Sequence, residues 1–236
     1  VRIDRAQRHL LGLINDVLNF AKLDAGKVEY DLRAVDVAAV LADILPIVEP
    51  QLAAAGLTVE VRPLASATAA HAASDGTASD GTGRDGTSDG ASDGASDGTP
   101  NVAWADREQL AQILLNLLSN AVKFSPPGGR IVVEHGRLLA TPPAAPRQPD
   151  QASQPPQVRL RITDAGPGIP PDKLEAIFEP FVQLQAGYTR TQDGTGLGLA
   201  ISRDLARGMG GDLTVESALG AGSTFTVVLR SLRDVD

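Results

Sequence analysis

The chain has 236 residues, 42% of them hydrophobic, with a formal net charge of −8, enough to bury the core of one or two domains and too apolar for a disordered segment. It contains no cysteine, which excludes a disulfide framework and a thiolate metal site. No basic patch stands out, which argues against nucleic acid, and no apolar run of about 18 residues or opening signal segment points to a membrane span.

Residues 1–24 read as a helix. Ile3, Leu10, Ile14, Val17 and Ala21 form an a/d seam that Leu11 and Leu18 widen. One amphipathic helix cannot bury such a stripe alone, so the seam predicts a core partner or a bundle mate, most simply in a homodimer. Residues 24–27 (DAGK) read as the helix stop, with Gly26 as the C-terminal cap. Helical spacing returns over 37–55, where Pro46 and Pro50 predict a kink or a split. Residues 57–62 alternate like a half-buried strand.

Residues 63–100 are of low complexity. Six Asp-Gly pairs, at Asp75, Asp80, Asp85, Asp89, Asp93 and Asp97, and one arginine give residues 66–100 a net charge of −5, leaving −3 for the remainder. Asp-Gly is turn chemistry without apolar residues to bury. A calcium-binding repeat is the alternative, but the spacing does not match a nonapeptide repeat and its strand-forming apolar position is missing. The segment reads as a flexible insertion. Lengthening a loop of about 5 residues to about 35 costs roughly 1.7 kcal/mol in closure entropy.

Strand character resumes at 101–105. Asp106 caps a helix over 107–124, with Gln109 completing a capping-box pattern, and Ser125-Pro126-Pro127-Gly128-Gly129 ends it. Strands are expected at 130–139 and 157–164, separated by a proline-rich loop at about 140–157 that reads as a second insertion. Helices are expected at 171–178 and 196–209, and strands at 212–217 and 223–229. Strands interleaved with helices, behind a lone amphipathic helix, predict an α/β sandwich.

Three blocks bear on chemistry. In NLLSNAVKFS, Asn116, Asn120 and Lys123 share one helical face, with Ile113, Leu114, Leu117 and Leu118 opposite. Amide oxygens suit magnesium beside phosphate and water, and a lysine suits phosphate, although the same pattern also describes a plain solvated face. In DAGPGIP, Asp164 ends a strand and Gly166 and Gly168 follow; a carboxylate there can accept from an exocyclic amine, or the block is only a turn. In GTGLGLAIS, Gly194, Thr195, Gly196, Leu197 and Gly198 precede a helix whose N–H groups suit phosphate. The polar run before it argues against a Rossmann unit, and no Gly-Lys-Ser/Thr follows for a P-loop.

Together with FEPF at 178–181, these blocks resemble, in order and type, the N box, first glycine box, F box and second glycine box of the sensor histidine kinases. Residues 14–30 (INDVLNFAKLDAGKVEY) also resemble the second helix of that family's dimerisation domain and its linker. The resemblance implies an α/β (α+β) two-layer sandwich of the Bergerat ATP-binding type, shared with gyrase B and MutL. It implies a partial dimerisation domain at 1–27 and an ATP-binding catalytic domain at 28–236. Asp164 would bind the adenine amine, supported by the Thr224 hydroxyl. Asn120 would hold Mg2+, while Asn116 and Lys123 would line the phosphates. Gly166, Gly168, Gly194, Thr195, Gly196, Leu197 and Gly198 would form the turns around ATP. Residues 185–193 would be the lid, with Phe178 and Phe181 anchoring its base. The implied partners are ATP, the receiver domain of a response regulator and a second copy of the chain.

Asn116 bears on the reaction. Hydrolysing relatives carry a glutamate there, whereas an amide is no general base at neutral pH, which favours transfer to a protein nucleophile over water attack. His9, His71 and His135 do not match the family's acceptor histidine, which is expected on a helix upstream of Val1. The chain therefore reads as a fragment, cytoplasmic in location, without membrane contact of its own and with any tether upstream. A nucleotide-sensing module without phosphotransfer and a gyrase- or MutL-type ATPase are the alternatives.

Overall fold

The computed structural model describes residues 14, 17–23, 25–64, 101–138, 156–184 and 195–232. In chain order these form β1 (Arg33–Asp36), α1 (Val37–Ala55), β2 (Thr58–Pro63), β3 (Val102–Ala105), α2 (Arg107–Phe124), β4 (Arg130–Leu138), β5 (Gln157–Asp164), α3 (Gly198–Gly208), β6 (Asp212–Ser217) and β7 (Ser223–Arg230). Five strands make one sheet in the order β2-β4-β5-β7-β6, parallel between β2 and β4 and antiparallel elsewhere. β1 and β3 pair separately as an antiparallel ribbon. α2 and α3 pack on the sheet and α1 packs on α2, which gives the expected two-layer α/β sandwich.

The strand pattern explains the layering. In β5, Val158, Leu160 and Ile162 are buried and alternate with Gln157, Arg159 and Arg161. Their register partners Leu229, Val227 and Phe225 on β7 are buried on the same side, as is Val133 on β4. Each such side chain contributes roughly 1.5–3 kcal/mol on burial. The other face stays wet. Glu60, Arg62, Glu134, Arg161 and Glu216 form a chain of ion pairs across it, with Arg62 Nε 3.1 Å from Glu134 Oε1. Apart from Glu134, which is 12% exposed, these side chains are a third or more exposed, and pairs of that kind are worth about 1 kcal/mol or less each, so they keep the face solvated rather than hold the fold.

Several expectations are corrected. The split allowed for α1 does not occur: it is one continuous helix across Pro46 and Pro50. Both prolines are exposed and lie four residues apart, so the carbonyls they leave unbonded face water, while Val37, Val40, Leu41, Ile44, Val48 and Leu52 keep the buried stripe intact. At 19 residues and mean hydropathy 1.6, α1 is long and apolar enough to cross a membrane, although Asp43 and Glu49 interrupt its apolar run; here its stripe lies in the core. Residues 171–178 form two 3-10 turns, Pro171–Lys173 and Ala176–Phe178, because eight residues behind a Pro-Pro pair close too few i→i+4 bonds for an α-helix. β1 was not anticipated: it has a single buried residue, Val35, and becomes a strand only by pairing with distant β3.

Asp106 caps α2 by accepting from Glu108 N at 2.9 Å and Gln109 N at 3.1 Å. The reciprocal half of the capping box is replaced, because the Asp106 N–H donates to Met209 Sδ at 3.3 Å. The other carboxylate oxygen takes the Asp31 N–H at 3.0 Å, which ties the segment before β1 to α2.

Residues 17–23 are helical, and Gly26 follows in the left-handed conformation (φ 62°) with its N–H on Leu23 O, as a C-terminal cap requires. Phe20 and Leu23 pack on the core, whereas Ile14, Val17 and Leu18 remain 46%, 50% and 53% exposed. Residues 1–13, most of both insertions, His9 and His71 lie outside the described residues.

Candidate functional site

The site is built along α2. Its apolar face (Leu110, Ile113, Leu114, Leu117, Leu118, Ala121) is buried, which turns the Asn116, Asn120 and Lys123 stripe away from the sheet, each half-buried. A glycine turn meets the helix at either end of that stripe. A Cβ added at Gly198 would stand 2.3 Å from Asn116 Oδ1, and one at Gly166 would stand 3.1 Å from the Phe124 carbonyl oxygen. The two contact points are eight residues, about 12 Å, apart along the helix. Asn120 and Lys123 fall between them.

Asp164 is the last buried position in the alternation Val158, Leu160, Ile162, Asp164, so the pleat alone aims a carboxylate between sheet and helices. It is 7% exposed. Its Oδ1 accepts the Gly166 N–H at 2.8 Å. Burial pushes its pKa above the ordinary carboxylate value, and hydrogen bonds from the Gly166 and Ser223 backbones partly oppose that. A desolvated carboxylate with one oxygen tied by a backbone N–H is a strong acceptor for one more donor. Gly168 (φ 75°) closes the loop. A Cβ there would stand 1.9 Å from Ala218 O, so only glycine lets the loop lie against the β6–β7 turn. Ser217 Oγ fastens the same junction, taking the Ile169 N–H at 2.8 Å and donating to Gly222 O at 2.7 Å.

Thr224 is placed elsewhere than expected. It pairs with Thr163, one residue before Asp164, so the pleat puts it on the other face of the sheet. The two threonine hydroxyls lie 3.0 Å apart. The strand neighbour of Asp164 is Ser223, which is buried and 3.0 Å from the Ser217 hydroxyl.

In the second glycine block, Gly194 and residues 185–193 lie outside the described residues. Thr195 Oγ1 accepts the Leu197 N–H at 3.1 Å, Leu197 is fully buried, and Gly198 opens α3. The Phe181 N–H donates to Gly196 O at 3.0 Å, which joins the F block to this turn. The two phenylalanines differ. Phe178 is buried under Arg203, whose Cζ stands 4.4 Å from the ring centroid, and Arg203 also pairs with Glu175 at 2.8 Å and Asp212 at 3.5 Å. Phe181 is 63% exposed, adopts a left-handed φ of 66°, and meets Phe20 edge-to-face at 6.0 Å.

Two residues with a place in the site were missed. Phe124 is 41% exposed at the end of α2, beside the Asp164 turn. In a chain with 3% aromatic residues, an aromatic ending a polar stripe was the available signal. Ser202 is buried and accepts the Asn116 Nδ2 proton at 2.8 Å, a contact that only the packing of α3 on α2 creates. His135 sits in β4 with its Nδ1 3.1 Å from Asn101 Nδ2, and burial pushes its pKa down. Among the described residues, no group of three or more His, Cys, Asp or Glu is arranged to hold a metal.

The chain is similar to known proteins in sequence and in fold. The family described as histidine kinase-, DNA gyrase B-, and HSP90-like ATPase matches residues 105–233. An uncharacterised sensor-like histidine kinase of Rhizobium meliloti (strain 1021) is 29% identical over 229 residues, covering 97% of this chain and 34% of the relative. The aerobic respiration control sensor protein ArcB of Escherichia coli (strain K12) is 30% identical over 223 residues, covering 93% of this chain and 22% of ArcB. The crystal structure of full-length ShkA in complex with AMPPNP superposes with a TM-score of 0.62 at 29% identity, over 95% of this chain and 36% of ShkA. The chain thus spans about a third or less of the curated relatives' length.

Proposed function

The chain belongs to the histidine kinase-, DNA gyrase B-, and HSP90-like ATPase family, and from that premise we propose that it is the ATP-binding catalytic part of a sensor histidine kinase. It transfers the γ-phosphoryl of ATP to a histidine on a helix outside the described residues. The observation that carries this reading is the buried Asp164 carboxylate at one glycine turn, joined by the polar stripe of α2 to a second glycine turn at Asn116.

Asp164 accepts the adenine 6-amino group, and the exposed Phe124 ring gives the base an apolar face. Backbone N–H groups at the start of α3, with the helix dipole, and Lys123 draw the phosphates. Asn120, half-buried on the polar stripe of α2, would supply one neutral hard oxygen to a magnesium ion that arrives with the nucleotide, with phosphate and water as its other ligands. When bound, that ion neutralises developing phosphate charge. Asn116 cannot take a proton from water, so the site favours an acceptor that is already nucleophilic, such as a neutral imidazole. Catalysis then rests on positioning and electrostatics. The exposed Ile14, Val17 and Leu18 suit a second copy of the chain, and the phosphorylated histidine would pass its group to the receiver domain of a response regulator.

The test mixes the chain with a separately produced dimerisation hairpin carrying the acceptor, radiolabelled ATP and magnesium. Acid-labile, base-stable label on histidine is expected. Steady phosphate release without protein label would instead favour an ATPase.

A further inference from the structure

The Asn116 amide is gripped from α3. Its Nδ2 donates to Ser202 Oγ at 2.8 Å, and Ser202 is 1% exposed. Its Oδ1 faces Gly198 so closely that a Cβ there would stand 2.3 Å away. Gly198 and Ser202 are four residues apart, hence one above the other on the same face of α3. The seat for the amide has two parts: an absent side chain at 198 makes the room, and a hydroxyl at 202 supplies the bond.

We infer that Ser202 is a positioning residue that sets the Asn116 amide against the glycine turn at the start of α3. The inference rests on the proposed placement of Asn116 at the phosphates. The terminal torsion of an asparagine is broad and roughly two-fold, so the backbone of α2 fixes where the side chain starts but not where the amide points. A hydroxyl both donates and accepts, so it holds the amide whichever way round its two ends lie. Because the anchor stands one turn behind Gly198, the amide and the phosphate-binding turn move together. In the same way, removing the hydroxyl leaves a half-buried amide donor without its partner and frees the torsion.

The test titrates this chain with adenosine, which reads the Asp164 end, and with AMPPNP plus magnesium, which also reads the phosphate end. Ser202→Ala is expected to weaken AMPPNP binding about 3- to 10-fold, from the loss of one neutral hydrogen bond, and to leave adenosine unchanged. Ser202→Thr, which keeps the hydroxyl, should restore most of the loss. In an Asn116→Ala background, Ser202→Ala should have no further effect. Equal losses for both ligands, or additive losses in the double variant, would mean that Ser202 only packs the α2–α3 interface and would overturn the inference. Asn116→Ala with unchanged AMPPNP affinity would remove the phosphate role of Asn116 itself, and the inference with it. Should Ser202→Ala melt too low to titrate, nuclear magnetic resonance of the wild type decides. Slow solvent exchange of one Asn116 Nδ2 proton supports the seat, and fast exchange refutes it.

Discussion

Replacing Asp164 with asparagine separates its two properties, charge and acceptor geometry. The carboxylate is 7% exposed, and one of its oxygens is committed to the Gly166 N–H at 2.8 Å. Asparagine keeps an oxygen for that bond and turns an NH2 toward the ligand. An adenine 6-amino group then meets a donor instead of a charged acceptor. Loss of a charge-assisted hydrogen bond costs about 1.5–3 kcal/mol, so AMPPNP affinity should fall roughly 10- to 150-fold by calorimetry. Inosine triphosphate, which carries an acceptor at the same ring position, should lose less than ATP or gain. The fold should not suffer. Burial raises the native pKa of Asp164, so the native state holds the proton more tightly than the unfolded chain does. The stability this gives is complete below the unfolded carboxylate pKa and is lost as pH rises through the raised native value. Asp164→Asn should therefore melt progressively better, relative to wild type, as pH rises from acid to neutral. Unchanged AMPPNP affinity, or equal losses for ATP and inosine triphosphate, would refute the adenine assignment.

Gly168→Ala should cost more than about 2 kcal/mol in denaturant unfolding, because its φ is 75° and the added Cβ would stand 1.9 Å from Ala218 O. Arg203→Ala should cost about 1–2 kcal/mol, since the side chain is 15% exposed and its guanidinium lies over Phe178 and bridges Glu175 and Asp212; Arg203→Lys should recover little, because an ammonium cannot stack and fork at once. Replacing residues 66–99 with a short Gly-Ser linker should leave nucleotide affinity nearly unchanged. Both flanks bond to one residue, Leu64 N to His135 O at 2.9 Å and Asn101 Nδ2 to His135 Nδ1 at 3.1 Å, so the gap to be bridged is small. A large fall in affinity or melting temperature would show that the insertion is structural.

What was legible in the sequence was whatever has a local cause. Alternation in β5 and β7 and the Asp106 cap follow from the period of the backbone and from side chains that bond within three residues. The same period put Asp164 on the buried face, and the 3.6-residue helical repeat put Asn116, Asn120 and Lys123 on one side of α2. The continuity of α1 could not be read, because two prolines break a helix or not according to whether their unbonded carbonyls reach water. The pairing that makes β1 a strand and the register that turns Thr224 away from Asp164 are likewise relations between segments far apart in the chain.

The sequence by itself determined which chemical groups the candidate site has to offer, since amide, carboxylate and glycine have properties that no packing confers. Only the tertiary structure decided how they are held. The desolvation that raises Asp164, the edge-to-face contact of Phe20 with the exposed Phe181, and the seat that Gly198 and Ser202 make for Asn116 all arise where elements distant in sequence pack together. Such contacts depend on non-local distances, which a one-dimensional pattern of residue types does not encode.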